Sequence, residues 1–363
     1  MRLRDLGLAI GLGRPGAHNA ITDVAGVRVG HTTLIEGTGR LVVGRGPVRT
    51  GVTVVVPHEG QVWEQPVFAG CHRLNGNGEL TGLEWVRESG LLTSPIGLTN
   101  THSVGVVRDA LVRAEVRHRP AGELFWGLPV VGETWDGLLN DINGFHVTAD
   151  HLDQALDAAC SGPVPEGAVG SGTGMVCHGF KGGIGTASRV VGQESGGYTV
   201  GVLVQANHGR RERLSVDGVP VGRAIPASEV PVPGSAPGAG SIIVVVATDA
   251  PLLPHQCTRL AQRAGLGVAR TGGVGEHTSG DLFLCFSTAN RRVPVDGLTR
   301  QAEVLVDEHI TPLFDATVEA TEEAIVNCLL AADTMVGRDG ITAYGLDPAR
   351  LQEVMAHHRS QGQ

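Results

Sequence analysis

The stretch PGAGSIIVVVATDAPL, Pro237 to Leu252, runs from a loop of Pro, Gly and Ala straight into Ser241, then into Ile242, Ile243, Val244, Val245 and Val246. A short apolar, β-branched run bounded by turn formers reads as a buried strand, and a buried strand implies layers on either side of it. The lone hydroxyl at its first step admits two readings. Ser241 is either a polar strand start after a surface loop or a nucleophile at a chain terminus still to be made. In the second reading, breaking the bond before Ser241 gives it an α-amino group, whose usual pKa of about 7.7 to 8.0 suits a base near neutrality. Attack of Oγ on the preceding carbonyl would break that bond. Gly240 suits the step because it lacks a Cβ and tolerates strained dihedrals. Gly234-Ser235 is a second Gly-Ser bond, but Ala236 and Pro237 follow it rather than a strand.

Working outward, the segment Arg210 to Gly240 carries charges and then Pro226, Pro231, Pro233 and Pro237, a composition that predicts an exposed connector. Strands are expected over 26–35, 50–57, 128–133, 198–206 and 281–288. Helices are expected over 103–118 with a serine cap, over 149–159, over 250–264 with Asp249 as cap, and from Thr311 to about Gly337. Two strand-rich blocks flanked by helices suggest layered sheets covered by helices.

The 363 residues carry a net charge of -9, 41% hydrophobic side chains and 54 glycines. That is a globular composition with no basic footprint for nucleic acid and no segment long enough to span a membrane, so a cytoplasmic location is expected. Six scattered cysteines lack any Cys-x-x-Cys pair and read as reduced core residues. The 15 histidines form no His-x-x-x-His or His-Glu-x-x-His spacing, so no metal is expected. GLGRPG (Gly11 to Gly16) matches G-x-G-x-x-G but follows no strand and contains Pro15. GSGTGMVCHGFKGGIG (Gly170 to Gly185) lacks the Gly-Lys-Ser/Thr ending of a phosphate loop and reads as tight packing or backbone near a ligand.

Two further sites bear on Ser241. Ser279 and Asp281, two apart before an apolar run, fall on one side of an extended chain. They are either a polar turn or a hydroxyl backed by a carboxylate that can orient a neighbouring amine. Asn207 either closes the strand before it or donates its amide to an oxyanion.

In order along the chain, NAITDVAGVRVGHTTL (Asn19 to Leu34), GLTNTHSVGVVRDA (Gly97 to Ala110), PVVGETWDGLLNDINGFHV (Pro129 to Val147), GVLVQANHG (Gly201 to Gly209), GAGSIIVVVATDAPL and TSGDLF resemble the self-processing aminopeptidases. Members of that family act as L-aminopeptidases with D-amidase and D-esterase activity, or as β-peptidyl aminopeptidases. The resemblance implies a single α+β domain over 1–363, a four-layer αββα sandwich like that of N-terminal-nucleophile hydrolases but with different connectivity. It also implies cleavage at Gly240-Ser241 into chains 1–240 and 241–363, assembly as a homotetramer, and small peptide, amide or ester substrates without a cofactor. Ser241 falls on the family's nucleophile, Asn207 on its oxyanion asparagine, and Ser279 with Asp281 on its serine-x-acid pair. Trp135 stands where one branch has an oxyanion-contacting Tyr, offering an indole N–H instead of a hydroxyl. Glu133 and Asp136 become candidates to bind the substrate ammonium. A rival is the ornithine acetyltransferase-like acyltransferases, similar in architecture and self-cleavage but with Thr at the new terminus. A third possibility is an unprocessed, non-catalytic binding protein.

Overall fold

The computed structural model describes residues 1–234, 240–291 and 297–361. Ser235 of the second Gly-Ser bond, Ala236 after it and residues 237–239 of the opening stretch lie outside the described residues. In chain order the first strands are β1 (Arg28–Glu36), β2 (Val48–Val56), β3 (Val67–Gly76), β4 (Leu91–Leu92), β5 (Ile96–Asn100), β6 (Val130–Thr134) and β7 (Val176–Cys177). They are followed by β8 (Phe180–Lys181), β9 (Gly183–Val190), β10 (Thr199–Asn207), β11 (Gly240–Thr248), β12 (Ser279–Ser287), β13 (Met335–Val336) and β14 (Thr342–Ala343). The helices are α1 (Leu83–Ser89), α2 (Val104–Arg117), α3 (Ala149–Asp157), α4 (Val221–Ala224), α5 (Pro254–Arg270), α6 (Thr311–Ala331) and α7 (Pro348–Gln361).

One sheet runs β1-β2-β5-β6 and the other β4-β3-β12-β11-β10-β9; the pairs β7-β8 and β13-β14 are separate hairpins. β11 pairs parallel with β12 and antiparallel with β10, so it lies inside the larger sheet. Side chains alternate along it. Ile242, Val244 and Val246 join the core beneath α5 and α6, with Leu260, Ala264, Ala320 and Ala324. Ile243, Val245 and Ala247 join a second core shared with Val55, Ile96, Leu98 and Val130 of the smaller sheet. That smaller sheet turns Val52, Val54 and Val131 outward onto Val107, Leu111 and Leu152 of α2 and α3. The layers are therefore helix, sheet, sheet, helix, as the resemblance implies. An unbroken apolar run is what a strand covered on both faces needs, and each such side chain contributes roughly 1.5–3 kcal/mol on burial.

Several local expectations change. The helix expected from Ala250 begins at Pro254, because Asp249 turns back to accept a hydrogen bond from the Thr199 amide (2.7 Å) instead of capping it. The Ser103 hydroxyl does not cap α2; Asn100 Oδ1 instead accepts from the Ser103 amide, closing the single turn Thr101–Ser103 that leads into the helix. The helix expected from Thr311 to Gly337, α6, stops at Ala331. Its first described turn has no side-chain cap from Thr311. The connector expected to be exposed is anchored over its first half: Leu214, Val216, Val221 and Ile225 enter the helix-side core. Between them the buried Arg211 stacks on Phe180 at 3.4 Å and donates to the carbonyls of His178, Gly179 and Val230. Five of the six cysteines are buried, but Cys160 is exposed. GLGRPG is a turn gripped by α6: the amides of Leu12 and Gly13 both donate to Glu319.

Candidate active site

β10 and β11 end together, with Asn207 opposite Ser241, at one rim of the gap between the two sheets. Ser241 shares a strand face with Ile243 and Val245, so its side chain is directed into that gap. It is 5% exposed, and its Oγ accepts a hydrogen bond from the Gly280 amide at 3.0 Å. Gly240 is required here for a reason of space. A Cβ on it would stand 2.5 Å from the Asn207 carbonyl oxygen, so only glycine lets the start of β11 lie this close to β10.

Asn207 is fixed at both ends of its amide. Oδ1 accepts from the Val176 amide (2.8 Å) and Nδ2 donates to the Trp135 carbonyl (2.9 Å). An amide nitrogen carries two hydrogens, so one N–H remains for another acceptor. Two residue pairs further in, Gln205 crosses the gap to Thr99 O and Thr134 Oγ1, which ties the two sheets beneath the site.

The neighbouring parallel strand supplies Ser279 and Asp281, in register with Gly240 and Ile242. They share one side of β12, as their spacing predicts, and the Ser279 hydroxyl donates to Asp281 Oδ1 at 2.6 Å. Burial pushes the Asp281 carboxyl above its ordinary value; the Ser279 hydroxyl, the His208 ring and the Ile242 amide oppose that push.

Two cavities meet at Gly240 and the half-buried Trp135. One, of about 690 Å³, is lined by Ser241, Glu133, Thr101 and His102 as well as those two residues. The other, about 340 Å³, is lined by Asn207, His208, Ser279 and Asp281. Glu133 is buried at the end of β6. Its Oε1 accepts from the Glu79 amide, and its Oε2 accepts from the Thr101 hydroxyl. Desolvation raises its pKa, against the pull of those two donors. Asp136 behaves differently from its expected partner in ammonium binding. It is wholly buried, accepts from Asn140 Nδ2, and lines neither cavity; burial pushes it up to about 6. The chain turns after β6, so the side chain three positions beyond Glu133 is carried into the interior and away from Ser241. Sequence reasoning passed over two further participants. Thr101 lies one residue past Asn100, whose register partner is Thr134, so pairing of β5 with β6 could have placed it beside Glu133. The Gly280 amide follows from the pairing of Ser241 with Gly280.

No described helix is long and apolar enough to cross a membrane. The profile of Peptidase family S58 matches residues 19–343. The chain is 51% identical, over 99% of its length and 92% of the relative's, to beta-peptidyl aminopeptidase BapA of Sphingosinicella microcystinivorans. Its fold superposes on a Burkholderia sp. beta-aminopeptidase with a TM-score of 0.91 at 55% identity, covering 98% of this chain and 99% of that one. It also superposes, at a TM-score of 0.88 and 45% identity over 98% of both chains, on an L-aminopeptidase D-Ala-esterase/amidase from Ochrobactrum anthropi described as a new variant of the Ntn hydrolase fold. With the four-layer sandwich and these matches over nearly its whole length, the chain belongs to Peptidase family S58 and is an aminopeptidase.

Proposed function

We propose that this aminopeptidase activates itself by cleaving Gly240-Ser241 and then uses Ser241 as an N-terminal nucleophile. The observation that carries the reading is the placement of Ser241 at the first step of a rigid central strand, paired with Asn207 and beside the Ser279–Asp281 couple. In self-cleavage, Ser241 Oγ attacks the Gly240 carbonyl carbon, its proton passes to the departing nitrogen and the C–N bond breaks, leaving an ester and a free amine on Ser241. Water hydrolyses that ester, giving a carboxylate on Gly240 and restoring the Ser241 hydroxyl.

In turnover the new amine takes the Oγ proton as Oγ attacks the carbonyl of the substrate's first residue. The spare N–H of Asn207 donates to the oxyanion, and the indole of Trp135, which lines both cavities, is a second candidate donor. The protonated amine gives its proton to the departing amine, and water releases the acyl group. Ser279, held by Asp281, stands in register with the residue lost from the new terminus and orients the Ser241 amine. Glu133, in the Ser241 cavity, receives the substrate ammonium. Asp136 has no part in this step.

Substrates are peptides, amides and esters with a free N-terminal amine. N-terminal β-residues are included, in keeping with the relatives named as β-aminopeptidases. A homotetrameric assembly and a cytoplasmic location belong to the same reading and rest on the family resemblance. Ser rather than Thr at position 241 favours hydrolysis over the acyltransferase alternative. The test compares β-alanine p-nitroanilide, L-alanine p-nitroanilide and their N-acetyl forms. Release of p-nitroaniline from free-amine substrates and none from the acetylated ones is expected. Equal turnover of acetylated substrates would overturn the ammonium-binding role, and no turnover of any would overturn the hydrolase.

A further inference from the structure

Behind Asn207, outside the groups used in the proposed reaction, three ligand-bearing side chains converge. Cys177 ends β7 and His178 begins the turn of the β7-β8 hairpin, and His208 follows Asn207 at the end of β10. All three are buried, and the Cys177 Sγ and one ring nitrogen from each histidine lie within 4.8 Å of one another. Linear spacing conceals this group, because pairing of the hairpin with the end of β10 is what closes it. The His178 amide donates to the His208 carbonyl at 2.7 Å, fixing the two segments together.

The donor geometry is specific. Cys177 Sγ stands 3.8 Å from His208 Nδ1. A tetrahedral zinc, with Zn–S near 2.3 Å and Zn–N near 2.0–2.1 Å, places such a pair about 3.6 Å apart. His178 Nδ1 donates to the Arg210 carbonyl at 3.1 Å, the kind of outer contact that fixes a ligating imidazole and leaves the Nε2 lone pair free. That Nε2 is buried and has no hydrogen-bond partner among the described residues. Orphaned polar atoms in a protein interior carry a desolvation cost of about 1–3 kcal/mol each and call for an explanation. One thiol with two imidazoles is a borderline-soft donor set, suited to zinc and unsuited to calcium or magnesium.

We propose that Cys177, His178 and His208 form a tridentate site for a divalent cation of the Zn²⁺ class, with Cys177 bound as thiolate and its proton released to solvent. A water fills the fourth position from the 340 Å³ cavity that His208 and Gly179 line. The site acts on the structure around the reaction rather than on the reacting atoms. Val176, which precedes Cys177, holds Asn207 Oδ1, and His208 follows Asn207, so the cation ties together the two segments that orient the oxyanion asparagine.

The test titrates metal-stripped, full-length protein with Co²⁺ alone. Saturation at one equivalent per chain is expected, with a thiolate-to-cobalt charge-transfer band, the visible bands of tetrahedral Co²⁺, and displacement by Zn²⁺. Cys177→Ala, with its fold checked by circular dichroism, loses the charge-transfer band, and His178→Ala weakens Co²⁺ binding at least about tenfold. X-ray absorption at the zinc edge on the Zn²⁺-loaded wild type needs no variant and reports one sulfur scatterer among nitrogen neighbours. The proposal is overturned by the absence of saturable Co²⁺ binding, by an unchanged spectrum in folded Cys177→Ala, or by a zinc shell of nitrogen and oxygen alone. None of these outcomes bears on self-cleavage, which is read separately by chain length.

Discussion

The two cavities that meet at Gly240 and Trp135 hold different halves of the proposed chemistry. The larger contains Ser241 and the buried carboxylate of Glu133; the smaller contains Asn207, Ser279 and Asp281. Ser241 is directed between the sheets, while Ser279 and Asp281, in register with Gly240 and Ile242, occupy the other side of the larger sheet. The residue standing at the junction is Gly240, the one that the proposed cleavage turns into a chain end. Breaking the bond gives the nucleophile an amine and lets the terminal carboxylate leave the junction, so that one reaction both makes the base and opens a path between the cavities.

The sharpest way to break this comparison is Ser241→Ala, which removes the nucleophile proposed for both self-cleavage and turnover. The chain is expected to stay intact and kcat to fall on the order of 10⁶-fold, the scale seen when a serine nucleophile is lost. Asn207→Ala keeps the nucleophile and removes an oxyanion donor, so kcat falls about 10²- to 10³-fold, and processing slows alongside it. Stopped-time electrophoresis and steady-state kinetics read the two effects separately. Asp281→Asn leaves a hydrogen-bonding partner for Ser279 but discharges it. A bond to a charged group is worth about 1.5–3 kcal/mol, which gives a loss of about ten- to a hundredfold in kcat/KM.

Glu133→Gln tests the opposite cavity. KM for free-amine substrates rises about tenfold with kcat little changed, the signature of lost ground-state and transition-state binding alike. The pH dependence has a definite sign. Burial raises the Glu133 pKa, so the carboxyl becomes neutral at a higher pH than an exposed glutamate would, and KM in the wild type climbs as pH falls through that raised value. Glu133→Gln loses this acid limb. The smallest effect is expected for Asp136→Asn, whose side chain lines neither cavity, with KM for the same substrates unchanged.

Much of the layered fold is legible from letters because burial on two faces leaves an unbroken apolar run, as in Ile242 to Val246, and strand partners then alternate around it. Ser279 and Asp281 are legible as a pair for the same reason: two positions apart in an extended chain can only be on one side. What the letters conceal depends on long-range pairing. Asp249 resembles a helix cap until β10 brings the Thr199 amide to it. Arg211 resembles the start of a solvated linker until Phe180 and three carbonyls enclose it. Glu133 and Asp136 look equivalent in ETWDG, and only the turn after β6 decides that one lines the Ser241 cavity and the other is sealed in the interior. Gly240 is expected from the strain of a scissile bond, yet its contact with the Asn207 carbonyl shows that close strand approach alone already demands glycine.

The most direct measurement is the intact mass of the purified wild-type protein and of Ser241→Ala, followed by N-terminal sequencing of the wild-type fragments. The account predicts two wild-type chains, spanning 1–240 and 241–363, the second beginning Ser-Ile-Ile-Val-Val, and one full-length chain for Ser241→Ala. A wild-type protein that stays full length after prolonged incubation while hydrolysing amide substrates, or one cleaved at any other bond, would contradict it.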